Sequence, residues 1–159
     1  MKQIMSRSQI YIVGSLRNIP AIREFSTRLR AAIGDRPVIV TDDWVSHGPD
    51  PDVRYHEYCR ARNYTYSQAM QNPVAQSVYM TDRTFIDNSA AVIMLQPCGP
   101  SAALELGYAT GRGKVTVIIK ASQDYDKVDI MESFATIISD DQESFFVRDL
   151  DTLLDILCA

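Results

Sequence analysis

Short apolar runs recur along this chain, each followed by a longer stretch in which apolar residues return at helical spacing. IYIVGS (residues 10–15) is β-rich and ends in a glycine and a serine, which predicts a strand and a turn. In residues 19–33 the apolar side chains Ile22, Phe25, Leu29 and Ile33 repeat with a helical period, with Asn18 placed to cap that helix and Gly34 to stop it. PVIVTD (residues 37–42) predicts a second strand, whereas residues 43–51 carry too much Pro, Gly and Asp for regular structure. Helical patterns follow over residues 52–62 and 73–88, and a third strand over residues 91–95. VTVIIK (115–120) and FATIIS (134–139) predict the fourth and fifth strands, and Asp149 is placed to cap a terminal helix with Leu150, Leu153, Leu154 and Leu157 on one face. Strands that alternate with helices imply an α/β fold with helices on both sides of the sheet. The expectation is a single doubly wound domain over residues 1–159, Rossmann-like or flavodoxin-like, with a five-stranded, mostly parallel sheet.

Composition narrows the function. The 159 residues are 46% hydrophobic and 23% charged, ordinary for one soluble domain with a real core. No apolar run approaches the roughly 18 to 20 residues of a membrane span, and MKQIMSRSQI lacks a signal-peptide core, so a cytoplasmic protein without a membrane partner is expected. A net charge of -4 argues against a nucleic-acid polymer as the main partner, although it leaves room for one small phosphate pocket. Cys59, Cys98 and Cys158 are scattered and odd in number, which suits free thiols. His47 and His56 are too far apart for a one-face helix pair and have no Cys at zinc-ligand spacing, so no metal or other cofactor is expected.

The candidate chemistry lies in AVIMLQPCGPSAALELGYATGRGKVTVIIK, residues 91–120: a strand, a Pro/Gly turn, a helix with one carboxylate, a Gly-rich exit and another strand. Open parallel sheets bind ligands at the carboxyl ends of their strands, so this order brings Glu105 beside the crevice. A lone helical Glu is usually a solvated charge, but a charge inside so apolar and small-residue a helix favours function. Gly14, Ser15, Leu16 and Arg17 follow a strand and precede a helix, where N–H groups, a hydroxyl and a guanidinium can converge on an anion; Ser101 adds a hydroxyl at a helix start. The alternative is that Gly14 only permits a tight turn and Arg17 is solvated. Residues 43–72 combine Trp44, Tyr55, Tyr58, Tyr64 and Tyr66 with Arg54, Arg60 and Arg62, either as a lid over a base or as a helical hairpin packed on the sheet or on a subunit partner.

Four segments in order carry a resemblance. YIVGSLRN, the stretch from Asp82 to Ala91, PCGPSAALELGYATGRGK and VDIMESFA resemble the corresponding signatures of the nucleoside 2′-deoxyribosyltransferase superfamily, which includes the 2′-deoxynucleoside 5′-phosphate N-hydrolases and the cytidine monophosphate N-glycosidases. The resemblance implies cleavage of the N-glycosidic bond of a nucleoside or nucleoside 5′-monophosphate, with hydrolysis or transfer to another base. By position it implies Glu105 as nucleophile, Asp82 on the base side as proton donor or orienter, and Tyr11 as the hydroxyl that fixes the glutamate. It implies substrate contacts from Gly14, Ser15, Leu16, Arg17, Gly99 and Ser101. Asp129 and Met131 match positions that, in the transferases, complete a neighbouring subunit's pocket, which implies a homodimer or higher homo-oligomer.

The chain departs from the pattern at Pro100 and Ala103, where relatives often carry Arg and His, and at Ala90, where many carry Asp. A cation able to hold phosphate is therefore missing from the helix start. Two other functions stay open on these grounds: a catalytically silent nucleotide-binding or signalling protein, and an NAD-type glycohydrolase built on the same carboxylate logic.

Overall fold

The computed structural model describes residues 7–47, 50–124 and 128–159. Residues 1–6, and residues 48 and 49 of the segment expected to be irregular, lie outside them. Five strands, β1 (Ser8–Val13), β2 (Val38–Thr41), β3 (Ala91–Leu95), β4 (Val115–Ile119) and β5 (Ile137–Ser139), form one sheet in the order β2-β1-β3-β4-β5. Every pairing is parallel, so the expected "mostly parallel" sheet is wholly so. The helices are α1 (Ile19–Ile33), α2 (Asp50–Ala61), α3 (Tyr66–Gln71), α4 (Pro73–Asn88), α5 (Pro100–Gly111), α6 (Gln142–Ser144) and α7 (Leu150–Cys158).

Both faces of a parallel sheet are covered, and for that reason β3 reads AVIML, a continuous apolar run with all five residues buried. Side chains still alternate between faces along each strand. On one face Ile10 and Ile12 of β1 meet Ile22, Phe25 and Leu29 of α1 and Leu150, Leu153 and Leu154 of α7. On the other, Tyr11 and Val13 join Val92 and Met94 of β3, Ile86 of α4, and Ala102, Leu106 and Ala109 of α5. That parity puts the Tyr11 side chain on the same side as α4 and α5. Among the described residues no helix is long and apolar enough to cross a membrane.

Local departures have local causes. A 3-10 turn, Leu16–Asn18, precedes α1, and Ser15 caps it by accepting the Arg17 N–H at 3.2 Å. Asn18 holds the cap position of α1 without a side-chain bond, and its Nδ2 is buried with no partner. Gly34 ends α1 as expected, at φ 61°, a conformation that suits glycine. The helix α3 was not expected, yet Thr65 and Gln68 exchange both bonds of a capping box at 3.2 and 2.9 Å. β5 is shorter than FATIIS because another 3-10 turn, Ile130–Phe134, runs up to its approach. Asp149 makes no cap bond: the chain enters α7 through a π-helical turn, Phe145–Asp149, and the Asp149 carboxylate accepts from Ser139 Oγ at 2.6 Å and from Arg148.

In the aromatic segment the rings serve one another. Tyr55 stacks on Tyr58 with centroids 6.3 Å apart, Tyr64 meets Tyr58 edge-on, and the Arg62 guanidinium lies 3.8 Å from the Tyr58 ring centroid. The Tyr55 hydroxyl donates to the Ala69 carbonyl, tying α2 to α3. These contacts hold α2 and α3 together as a helical hairpin.

Candidate active site

A cavity of about 720 Å³ opens where the strand order reverses between β1 and β3. Neighbouring connections leave the sheet in opposite directions there, which opens a crevice beyond the strand ends. Its floor and one wall hold three polar groups from three elements: Tyr11 of β1, Asp82 of α4 and Glu105 of α5.

Tyr11 is only 1% exposed, its ring stacked on Phe85 of α4 at 5.6 Å and 9°. Burial, and then the nearby charges of Glu105 and Asp82, push its phenol far above the usual range. It therefore stays protonated and serves as a fixed donor. The resemblance implied a hydrogen bond from this tyrosine to the glutamate; both carboxylates lie close enough to Tyr11 for their charges to raise it, Glu105 more than Asp82. Glu105, half-buried in the second turn of α5, is raised from 4.5 to about 8, chiefly by burial and then by the Asp82 charge. Two carboxylates in one partly dry space cannot both ionise cheaply, so the pair retains a proton near neutral pH.

Asp43 and Trp44, just beyond β2, form the opposite wall. Trp44 Nε1 donates to the Ile12 carbonyl at 2.8 Å, which holds the indole against the end of β1. Asp43 is a third carboxylate, close enough to add to the shift at Tyr11. The helix α4 contributes Ser77, Val78, Thr81 and Phe85 beside Asp82.

The other end of the cavity is suited to an anion. Gly14, Ser15, Leu16 and Arg17 line it from the turn after β1, and Gly99, Ser101 and Ala102 from the start of α5. A side chain at Gly14 would displace the end of Ile22, since a Cβ there would lie 2.7 Å from Ile22 Cδ1. Gly99 begins α5 without a side-chain cap, so the first-turn N–H groups remain available at the positive end of the helix. Ser15 Oγ already accepts the Arg17 N–H, which leaves its own hydroxyl hydrogen to donate. Arg17 is exposed at the rim, with no ion pair among the described residues.

Nine of the eleven residues expected at the site therefore meet in one cavity: Tyr11, Gly14, Ser15, Leu16, Arg17, Asp82, Gly99, Ser101 and Glu105. Asp129 and Met131 do not line it. Asp129 borders a separate recess of about 280 Å³ with Lys120 and Glu132, and its carboxylate accepts the Met131 N–H at 2.9 Å, capping its own turn. The Met131 side chain is 59% exposed. Asp43, Ser77, Val78, Thr81, Phe85 and Ala102 were not singled out beforehand. The α4 members had a signal in their spacing, because positions 77, 78, 81 and 85 share a helix face with 82.

No protein-family model matches the chain, and no curated protein matches it in sequence. Among solved structures, a CMP N-glycosidase from Clostridium botulinum, BcmB, is similar with a TM-score of 0.55, over 92% of this chain and 99% of that one, at 11% identity. At that identity the likeness is one of fold. The chain is an α/β domain with a five-stranded, all-parallel sheet, arranged as in that protein.

Proposed function

We propose that the protein cleaves the N-glycosidic bond of a nucleoside or nucleoside 5′-monophosphate through a glycosyl-glutamate intermediate. The observation that carries this reading is the pairing of Glu105 with Asp82 in one cavity, beside the buried hydroxyl of Tyr11. Loss of a base from C1′ passes through an oxocarbenium-like sugar, which calls for a carboxylate beneath C1′ and a proton for the departing nitrogen. An oxygen of Glu105 bonds to C1′ as the C1′–N bond breaks, and the electron pair leaves with the base. The proton that the carboxylate pair retains goes to the base nitrogen by way of Asp82. Water, or a second base, then attacks C1′ and frees the Glu105 carboxylate.

The anion end of the cavity favours a 5′-monophosphate over a free nucleoside, with Ser15, Arg17, Ser101 and the start of α5 around the phosphate. The fold shared with a CMP N-glycosidase makes pyrimidine monophosphates the first substrates to try. On the same reading Asp129 and Met131, which lie apart from their own chain's cavity, serve the cavity of a second copy in a homo-oligomer. The test is a panel of nucleosides, their 5′-monophosphates and NAD, with and without a free acceptor base, assayed for released base or exchanged product. Base release by the wild type that disappears in Glu105→Ala is the expected result. Nucleotide binding with no release from any member would instead favour a silent binding protein.

A further inference from the structure

The helix α4 meets the sheet and α5 toward its carboxyl-terminal end, while its first turns rest against α3. Ile86 is 2% exposed, whereas Val74, Val78 and Tyr79 in the upstream turns are 55%, 57% and 52% exposed. Asp82 stands where the helix leaves the body, so its position depends on how that end is fixed. Part of that fixing is apolar, through Ile86 in the core and Phe85 stacked on Tyr11; the rest is polar and points to α5. Asp87 Oδ1 accepts from the Tyr108 hydroxyl at 2.9 Å and from Arg112 Nε at 3.2 Å. The Tyr108 hydroxyl in turn accepts from Arg83 Nε at 3.1 Å, and Arg83 Nε is 3.5 Å from Asp87 Oδ2. Lys114 Nζ donates to the Asp87 carbonyl at 2.7 Å.

The residues of this network are closely tied to the carboxylate pair. Arg83 directly follows Asp82, Asp87 lies about 7.5 Å further along α4, and Tyr108 stands about 4.5 Å beyond Glu105 along α5, at 1.5 Å per residue. We propose that Asp87 and Tyr108 are positioning residues, a polar clamp between α4 and α5 that sets the spacing of Asp82 and Glu105 across the cavity. The clamp is independent of the reaction; only its catalytic consequence rests on the function proposed above. Loosening it lets Asp82 swing outward and water reach Glu105. The groups that face Glu105 are Tyr11 from β1 and Asp82 from α4, and Asp87 is not among those that shift it. A change at the clamp must therefore reach Glu105 through geometry.

Tyr108→Phe is the cleanest probe, because it removes the bridging hydroxyl and changes no charge. With carboxyl-carbon-labelled glutamate, the Glu105 signal is assigned by its loss in Glu105→Gln and followed by NMR through a pH titration of the free protein. In Tyr108→Phe and Asp87→Asn the Glu105 midpoint is expected to fall by about half a unit or more, a threefold change in proton affinity. Arg28→Ala breaks an ion pair elsewhere on the surface, Arg28 to Glu143 at 2.7 Å, and should leave the midpoint in place. Any accompanying loss of turnover should fall on kcat more than on KM. A Glu105 midpoint unchanged in folded Tyr108→Phe overturns the proposal, whether or not Asp87→Asn folds. A shifted midpoint in a protein that cleaves no nucleoside keeps the clamp and removes the N-glycosidase reading.

Discussion

Asp82 and Glu105 stand on different helices yet share one cavity, and the charge of the first adds to burial in lifting the second to about 8. Their separation in sequence hides this relationship, which divides the labour of the site. On the proposed function one carboxyl group is the nucleophile and the other handles a proton, and a pair that keeps one proton can supply both. Glu105→Gln and Glu105→Ala should abolish base release while the fold persists, because an amide or a methyl cannot form the glycosyl ester. Asp82→Asn should retain a residue of activity, reduced about 10²-fold or more, the usual weight of a positioned acid. Wild-type turnover by either Glu105 variant would remove that residue from the mechanism.

The pH profile follows from the same pair. With its folded pKa raised to about 8, Glu105 holds a proton in the free protein up to that pH, and above it the pair becomes doubly ionised. If the shared proton is needed by the leaving base, kcat/KM should fall on the alkaline side with a midpoint near 8. In Asp82→Asn the Glu105 midpoint should drop toward the ordinary carboxylate range, since one of its two causes is gone. A rate that climbs steadily through pH 9 would mean that the fully ionised pair is the active form.

The substitution that removes activity should raise stability at alkaline pH. Between 4.5 and about 8 the folded chain keeps a proton on Glu105 that the unfolded chain has released, so wild-type stability declines across that window and stays lower above it. Glutamine never ionises. Glu105→Gln should therefore match the wild type near pH 4.5 and gain about 1–3 kcal/mol at pH 9, a rise in Tm on the order of 5 °C. Thermal melts of both proteins at the two pH values check this, and an equal Tm difference at both would break the link to ionisation.

The anion end makes a separate prediction. A 5′-monophosphate should bind more tightly than its nucleoside, and Arg17→Ala should erase most of that difference, about tenfold for a charge-assisted hydrogen bond. Calorimetric titration of the Glu105→Ala protein measures both affinities without turnover. Equal affinities in the parent would point to the nucleoside transferase chemistry instead.

A shared site is testable by mixing. Glu105→Ala and Asp129→Ala proteins, each inactive alone, should regain activity together, because a mixed assembly can hold one intact cavity. A monomer with full activity would exclude this arrangement.

Much of this was legible in the sequence because the strands are short, apolar and bounded by turn residues. β3 and β4 appear where their apolar runs do, and Ile22, Phe25, Leu29 and Ile33 of α1 are all buried. The differences have separate physical causes. Asn18 looked like a cap because its type is right, but Ser15 three residues earlier closes a tighter turn and takes the capping bond. The Thr65–Gln68 capping box is present in the sequence, but the six-residue helix that it starts is too short to show a period. The α4 side of the cavity was harder: Val78 and Phe85 become site residues only when α4 lies beside α5, a tertiary fact.

Trp44 shows why this cavity has the width that it has. The last β1–β2 pair is Tyr11 with Thr41, and one residue further the Ile12 carbonyl bonds to the Trp44 indole instead of to a strand. A side chain thus takes over where the backbone ladder stops, and the same side chain walls the cavity. A smaller residue at position 44 would enlarge the space for a substrate and at once leave a carbonyl at the sheet's end without its donor. On the proposed function, room for a larger base made on that wall would weaken the sheet behind it, whereas a change at exposed Val78 on α4 would not touch that carbonyl.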